Sequence, residues 1–195
     1  MIVAMSRLFL ITGIPAAGKS TVGHALARRF ERGVCVDGDD IRRVVVSGAA
    51  PLGSPLTEAA TAQLLLRYRA GLAVARVYLD AGFDVVFNDN MFGTLFAQVL
   101  GMVAESGSGS EAGADHELHV VVLNPAADAV RHRDATRSNW QAYEGDAWDV
   151  DELRRSLVEE TPKVGLWLDN SSHSVEETVD HILERLRQSA VSSLY

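Results

Sequence analysis

Eight residues near the start of the chain, Gly13-Ile-Pro-Ala-Ala-Gly18-Lys19-Ser20, fit the spacing G-x-x-x-x-G-K-S/T, and Thr21 follows. Glycines at these positions let the backbone wrap a phosphate. A helix starting just after them adds unpaired N–H donors and the positive end of its dipole. Lys19 would reach the β- and γ-phosphates of a nucleotide, and the Ser20 hydroxyl would ligate Mg²⁺. Gly13, Ala16, Ala17, Gly18, Lys19, Ser20 and Thr21 are therefore the expected nucleotide contacts. Lys19 also stands out by composition, because Lys163 is the only other lysine among the 18 basic residues. The bland alternative is a strand-to-helix turn that binds nothing. The complete motif, with an apolar run before it and helical spacing after it, favours a nucleoside triphosphate.

A second cluster, Asp37-Gly38-Asp39-Asp40-Ile41-Arg42, follows the apolar Val34–Val36 directly. A hydroxyl attacking a γ-phosphate gains from a carboxylate that orients it and takes its proton. Strand ends of a parallel sheet surround the crevice where such chemistry happens. The same aspartates could instead cap a helix starting near Ile41, and any of the three could be the base.

Together, the two motifs resemble the small P-loop kinases that phosphorylate hydroxyls. Adenylylsulfate kinases carry a similar Asp-Gly-Asp-Asn-x-Arg stretch and polynucleotide 5′-kinases a similar Asp-Asp-x-Arg. Chloramphenicol phosphotransferases have a Val-Asp pair at the equivalent strand end. The resemblance implies that Asp39 is the general base and that Arg42 steers the substrate or the transferred group. Asp37, Asp40 and Asn90 are expected beside Arg42 around the acceptor. Asp89 is the expected Walker-B-like carboxylate, holding Mg²⁺ through water, although Asn88 comes first and a simple Asn-Asp-Asn turn is the alternative. Arg133-Asp-Ala-Thr-Arg137 is similar to the Arg-x-x-x-Arg helix that begins the lid of such kinases. With Arg131 on the same helix, these arginines would neutralise the migrating phosphoryl group. Otherwise they form a solvated face paired with Asp128 and Asp134. By the same resemblance Asp169–Ser172 would lie near the adenine, unless it serves only as a cap.

These residues need a scaffold, and the sequence alternates apolar runs with helical stretches as an α/β domain does. Strands are expected at Leu8–Ile11, Val34–Val36, Asp84–Phe87, His119–Leu123 and Leu166–Leu168. Helices are expected at Lys19–Phe30, Glu58–Ala81 after a Thr57 N-cap, Phe92–Glu105, Ala126–Arg137 and Asp151–Glu160. A last helix starts at the capping box Ser174-Val-Glu-Glu177 and reaches about Gln188. Ser106–Gly113 reads as a flexible surface loop. Trp140, Tyr143 and Trp148 would stack on an acceptor or form the lid's own small core. His116, His119, His132, His173 and His181 lack metal-ligand spacing and read as surface residues. The resemblance supplies the strand order 2-3-1-4-5 and makes residues 1–195 one P-loop kinase domain with a lid at about 131–160.

Composition narrows the partners. In 195 residues, 18 Lys+Arg against 26 Asp+Glu leave a net charge of −8, which opposes an extended nucleic acid as main partner. Cys35 is the one cysteine, so no internal disulfide forms. No apolar run reaches the roughly 18 residues of a membrane span. Met1–Ser6 lacks the basic start of a signal peptide. The expectation is a cytoplasmic, ATP- and Mg²⁺-dependent kinase acting on a small-molecule hydroxyl, with an antibiotic among the candidate acceptors. A polynucleotide or nucleoside 5′-hydroxyl kinase, or a nucleotide-dependent binding module without transfer, are the rivals.

Overall fold

Strands of a parallel sheet read as continuous apolar runs, and five apolar runs pair in the computed structural model, which describes residues 5–53, 55–107, 116–137, 142–143 and 148–191. β1 (Arg7–Thr12), β2 (Gly33–Asp37), β3 (Asp84–Asn88), β4 (Glu117–Leu123) and β5 (Leu166–Leu168) form one sheet, all neighbours parallel, in the order β2-β3-β1-β4-β5. The order expected from the resemblance is the observed one. Register places Ile11 and Asp37 opposite Asn88 on either side of β3. Three strand ends, those leading to the phosphate loop, the acidic cluster and Asn88–Asn90, thus reach one level at the carboxyl edge.

The helices are α1 (Lys19–Ala27), α2 (Gly38–Arg43), α3 (Glu58–Asp80), α4 (Leu95–Gly107), α5 (Ala127–Ala135), α6 (Val150–Glu160), α7 (Val175–Glu184) and α8 (Leu186–Ser189). Alternate strand residues feed two cores. Leu8, Leu10, Phe87 and Val120 pack with Tyr68 and Leu72 of α3, Phe96 of α4 and Leu157 of α6. Phe9, Ile11, Val86 and Val121 pack with Val22 and Leu26 of α1 and with Val179 and Ile182 of α7. Thr57 caps α3 as expected, its side chain accepting from Ala60 N at 3.1 Å.

Several boundaries differ from expectation for local reasons. α1 stops at Ala27, not Phe30, because the chain turns there into β2. α4 begins at Leu95 rather than Phe92, since Gly93 has a φ of +63°. The helix expected near Ile41 starts three residues earlier, at Gly38. The final helix breaks at Arg185, which leaves helical geometry (φ −111°, ψ 26°), before α8 resumes. α8 carries the chain back to β4, where Val191 N donates to Leu118 O. α4 runs through Ser106 and Gly107, while the rest of the expected flexible loop, residues 108–113, and Trp140 lie outside the described residues.

His119 corrects the reading of the histidines as surface residues. Paired with Phe9 in the β1–β4 register, it shares that residue's face and is buried. Its ring stacks on Phe9 at 4.6 Å, and Nδ1 shares a 2.9 Å hydrogen bond with Ser189 Oγ. Among the described residues no helix is long and apolar enough to cross a membrane.

Candidate active site

Between Thr12 and Lys19 the backbone takes conformations that few side chains tolerate. Gly13 has a φ of +150°, and a Cβ there would lie 2.5 Å from Leu123 O of β4. Ala16 (φ +62°) and Gly18 (φ +98°) are left-handed, and Gly18 is the N-cap of α1. Successive turns of this kind form an anion-binding concavity of backbone N–H groups at a helix start. Lys19 Nζ folds over the loop and donates to Ile14 O at 2.9 Å. Burial lowers its pKa to about 8; Asp89 and Asp39 pull it back up and Arg137 pushes it further down. Lys19 therefore lies within electrostatic reach of Asp89, Asp39, Arg137 and Asp37. Ser20 Oγ donates to Asn88 Oδ1 at 3.2 Å, so the serine meets Asn88 and not Asp89.

The acidic cluster folds around Gly38. Asp37 is the N-cap of α2, accepting from Asp39 N at 2.8 Å. The capping role falls to Asp37 rather than to Asp40. A Cβ at Gly38 would stand 1.9 Å from Asp89 Oδ2, so glycine lets α2 start directly against the end of β3. Asp39 is half exposed beside Arg42, at 3.6 Å. Asp40 points outward and pairs with Arg43.

Sequence reasoning missed Arg67. From the middle of α3 its Nη2 donates to Asp89 Oδ1 at 2.6 Å, with both side chains almost fully buried. Asn90 N donates to the same oxygen at 2.7 Å. Burial pushes the Asp89 carboxyl upward, against the pull of Arg67. Tyr68 OH donates to Asn90 O at 2.7 Å. Arg67 Nε, Asp89 Oδ2 and Asn90 Oδ1 are buried without a hydrogen-bond partner among the described residues. The available signal was a charged residue on the otherwise apolar stripe Leu64, Tyr68, Gly71 and Ala75.

The three arginines of α5 and its end part company. Arg131 pairs with Asp128 and Asp151 at the surface. Arg133 donates to Ala17 O (3.3 Å), Asn170 O (2.6 Å) and Ser171 O (3.4 Å), tying the phosphate loop to the loop after β5. Asn170 Nδ2 also donates to Ala17 O, at 3.1 Å. Arg137 is half exposed, 3.9 Å from Asp134. Asp134 itself accepts from the backbone of Ala142 and Tyr143, and Tyr143 OH donates to Pro15 O at 3.1 Å. A cavity of about 800 Å³ opens beside the phosphate loop, bounded by Pro15, Arg42, Leu56, Arg67, Asn90 and Trp148 among others.

The site fits a magnesium nucleotide. A left-handed loop at a helix start, a lysine over it and a serine in the first turn are the donors that phosphates and Mg²⁺ require. No group of three or more His, Cys, Asp or Glu among the described residues could hold a metal unaided. Mg²⁺ keeps several waters and takes substrate phosphates as ligands, so the Ser20 hydroxyl in the first turn of α1 is a donor that would suit it.

The sequence profile of the AAA domain family matches residues 8–159. The chain belongs to this family. No curated protein matches it. Among solved structures, this AAA domain protein is similar to the Mycobacterium tuberculosis APS kinase in complex with AMPPNP and APS, with a TM-score of 0.62 and 17% identity over 94% of this chain and 98% of that one. The Deinococcus radiodurans tunicamycin resistance protein matches with a TM-score of 0.64 and 13% identity over 95% and 98% of the two chains. Shikimate kinase from Bacteroides thetaiotaomicron matches with a TM-score of 0.59 and 22% identity over 94% and 99%. With its strand order, the AAA domain chain has the P-loop kinase fold.

Proposed function

We propose that this protein transfers the γ-phosphoryl group of ATP, with Mg²⁺, to a hydroxyl group of a small molecule. The observation that carries this reading is that the phosphate loop, with Lys19 folded over it, and the half-exposed Asp39 at the start of α2 both lie at the carboxyl edge of the sheet, beside a cavity lined by Pro15 and Arg42. A binding module would need the phosphate loop but not a half-exposed carboxylate across from it. The phosphate loop binds the nucleotide, and Lys19 turns from Ile14 O to the β- and γ-phosphates. Mg²⁺, held by Ser20 and the phosphates, would offset charge on the oxygens of the transferred group. Asp39 orients the acceptor O–H and takes its proton as the oxygen bonds to phosphorus. The bond to the bridging oxygen breaks and ADP leaves. Arg42 holds Asp39 in place beside the acceptor. Arg137, held among the described residues only by its 3.9 Å pair with Asp134, would swing to the transferred group, while Arg133 braces the loop from behind. Asp89, fixed by Arg67, supplies negative charge near Lys19 and would hold Mg²⁺ through water.

Residues 1–195 act in this proposal as one kinase domain whose lid lies within 131–160, in the cytoplasm where ATP is supplied. An antibiotic belongs among the acceptors to be tried, supported by the motif shared with chloramphenicol phosphotransferases. The net charge of −8 opposes the polynucleotide kinase reading.

The test is Asp39→Asn, which keeps the side-chain shape but cannot take a proton. ATP affinity should stay near normal while turnover falls by roughly 10²–10⁴-fold. Unchanged turnover in Asp39→Asn would sink the assignment of the base, and a loss in Asp37→Asn instead would move it two residues.

A further inference from the structure

Three carbonyls of the phosphate loop are each held by a side chain. Lys19 Nζ donates to Ile14 O at 2.9 Å. Arg133 Nη1 and Asn170 Nδ2 donate to Ala17 O at 3.3 and 3.1 Å. The Tyr143 hydroxyl donates to Pro15 O at 3.1 Å. A trans peptide is planar, so drawing its carbonyl to one side turns the following N–H to the other. Arg133 and Asn170 thereby fix the direction of the Gly18 N–H, and Tyr143 fixes that of the Ala16 N–H. Ile14 precedes a proline, so its carbonyl has no N–H to aim. The Ala16 N–H has no hydrogen-bond partner among the described residues, and Ala16 is left-handed (φ +62°). An unpaired N–H in a loop of that shape is a donor kept for an anion.

Tyr143 is itself held in place. Asp134, buried near the end of α5, accepts from Ala142 N at 2.9 Å through Oδ1 and from Tyr143 N at 3.1 Å through Oδ2. These two bonds bring the turn at 142–143 back onto α5. The Tyr143 ring packs against the core shared by α3 and α6. Burial, helped by the Asp134 charge, raises the Tyr143 pKa, so the phenol keeps the proton that it donates. We infer that Tyr143 is a positioning residue for the nucleotide: its hydroxyl sets the Pro15–Ala16 peptide so that the Ala16 N–H meets a phosphate oxygen. This rests on the nucleotide-binding part of the phosphotransferase reading above. The ring serves the core, and the hydroxyl serves the phosphate loop.

Tyr143→Phe tests this, because it keeps the ring and removes only the hydroxyl. Calorimetry should show Mg²⁺–AMPPNP and Mg²⁺–tripolyphosphate each bound about fivefold more weakly by the variant, the worth of one net hydrogen bond. Adenosine, which has no phosphate, should bind both proteins equally in an NMR titration. The N–H itself is read from the amide spectra of protein labelled with ¹⁵N-alanine and ¹⁵N-glycine. Mg²⁺–AMPPNP should move the Ala16 amide proton downfield in wild type and less so in Tyr143→Phe. The Gly18 amide, fixed by Arg133 and Asn170, should move alike in both. A role confined to packing would weaken adenosine as well and would treat the two amides the same. Unchanged AMPPNP affinity in the variant, an equal loss for adenosine, or an Ala16 shift that is absent in wild type or identical in the variant overturns the inference. Failure of wild type to bind Mg²⁺–AMPPNP would overturn the nucleotide reading beneath it. Binding and shifts as expected, with no phosphate transferred to any alcohol, would overturn the kinase reading and leave Tyr143 in its place.

Discussion

Lys19 has a charge that its own burial weakens. In the free protein burial lowers its pKa to about 8, with the carboxylates of Asp89 and Asp39 opposing the fall. Only the ammonium attracts phosphate, so a bound nucleotide must raise that pKa. Linkage then fixes the sign: affinity is fully present below about pH 8 and falls as pH rises toward the higher bound value, by up to about tenfold per unit. Calorimetric titration of Mg²⁺–AMPPNP between pH 6.5 and 9.5 should show this decline, and Lys19→Arg, which stays protonated, should flatten it. A flat wild-type profile would mean that Lys19 does not contact the phosphates. Lys19 and the aspartates could be singled out as candidates because their motifs are local in the chain. Arg67 was not, because its partner Asp89 lies 22 residues away and they meet only when α3 packs on β3. Nor does Asp-Gly-Asp-Asp say which carboxylate caps α2, since a six-residue helix is too short for periodicity to fix its start.

At the scale of elements, all five strands stood out because strands of a parallel sheet carry short apolar runs, the edge strand β2 included although only its Val36 is buried. Helix ends were read less well. Phe30 continues the stripe of α1 on the Phe9 side of the sheet without being helical, stacking on Phe9 at 5.3 Å. Apolar spacing reports which face is covered and not where hydrogen bonding stops. His119 was misread for the related reason that a polar residue inside an apolar run can be buried when a later element supplies its partner. Here α8 supplies Ser189. Burial lowers the His119 pKa from its ordinary value, although Glu117 at 3.5 Å opposes the fall and Arg7 adds to it. The unfolded chain therefore takes a proton below about pH 6.5 that the folded chain resists. Stability contributed by this site is present above that pH and lost as pH falls. Urea unfolding at pH 7.5 and 5.5 should show a larger acid loss in wild type than in His119→Phe, which keeps a ring against Phe9 and cannot titrate. Equal losses would show that His119 protonates in place without cost.

For the whole molecule, movement must be divided between parts fixed by the core and parts held only by the nucleotide site. The segment 131–160 reads from sequence as one lid, yet its α6 portion is anchored. Val150, Leu153 and Leu157 are buried in the same core as Phe87 and Tyr68. A closing motion that lifted α6 would expose those side chains, and each fully exposed leucine costs about 1.5–3 kcal/mol. Arg133 is held differently, by carbonyls of the phosphate loop and of the loop after β5, so nucleotide contact with either loop reaches the end of α5 through one guanidinium. Hydrogen exchange with and without Mg²⁺–AMPPNP should therefore show two behaviours. Amides of Gly13–Ser20 and Arg133–Arg137 should become more protected on binding, as a site that must exclude water closes. Amides of α6 around Leu153 and Leu157 should exchange slowly in both states, because opening them requires breaking the core. Added protection spread evenly over 131–160 would mean that α6 travels with the lid and that its packing is remade in the closed form. No change in either segment would mean that the region is a fixed wall of the domain, leaving Arg137 to reach the transferred group by side-chain rotation alone.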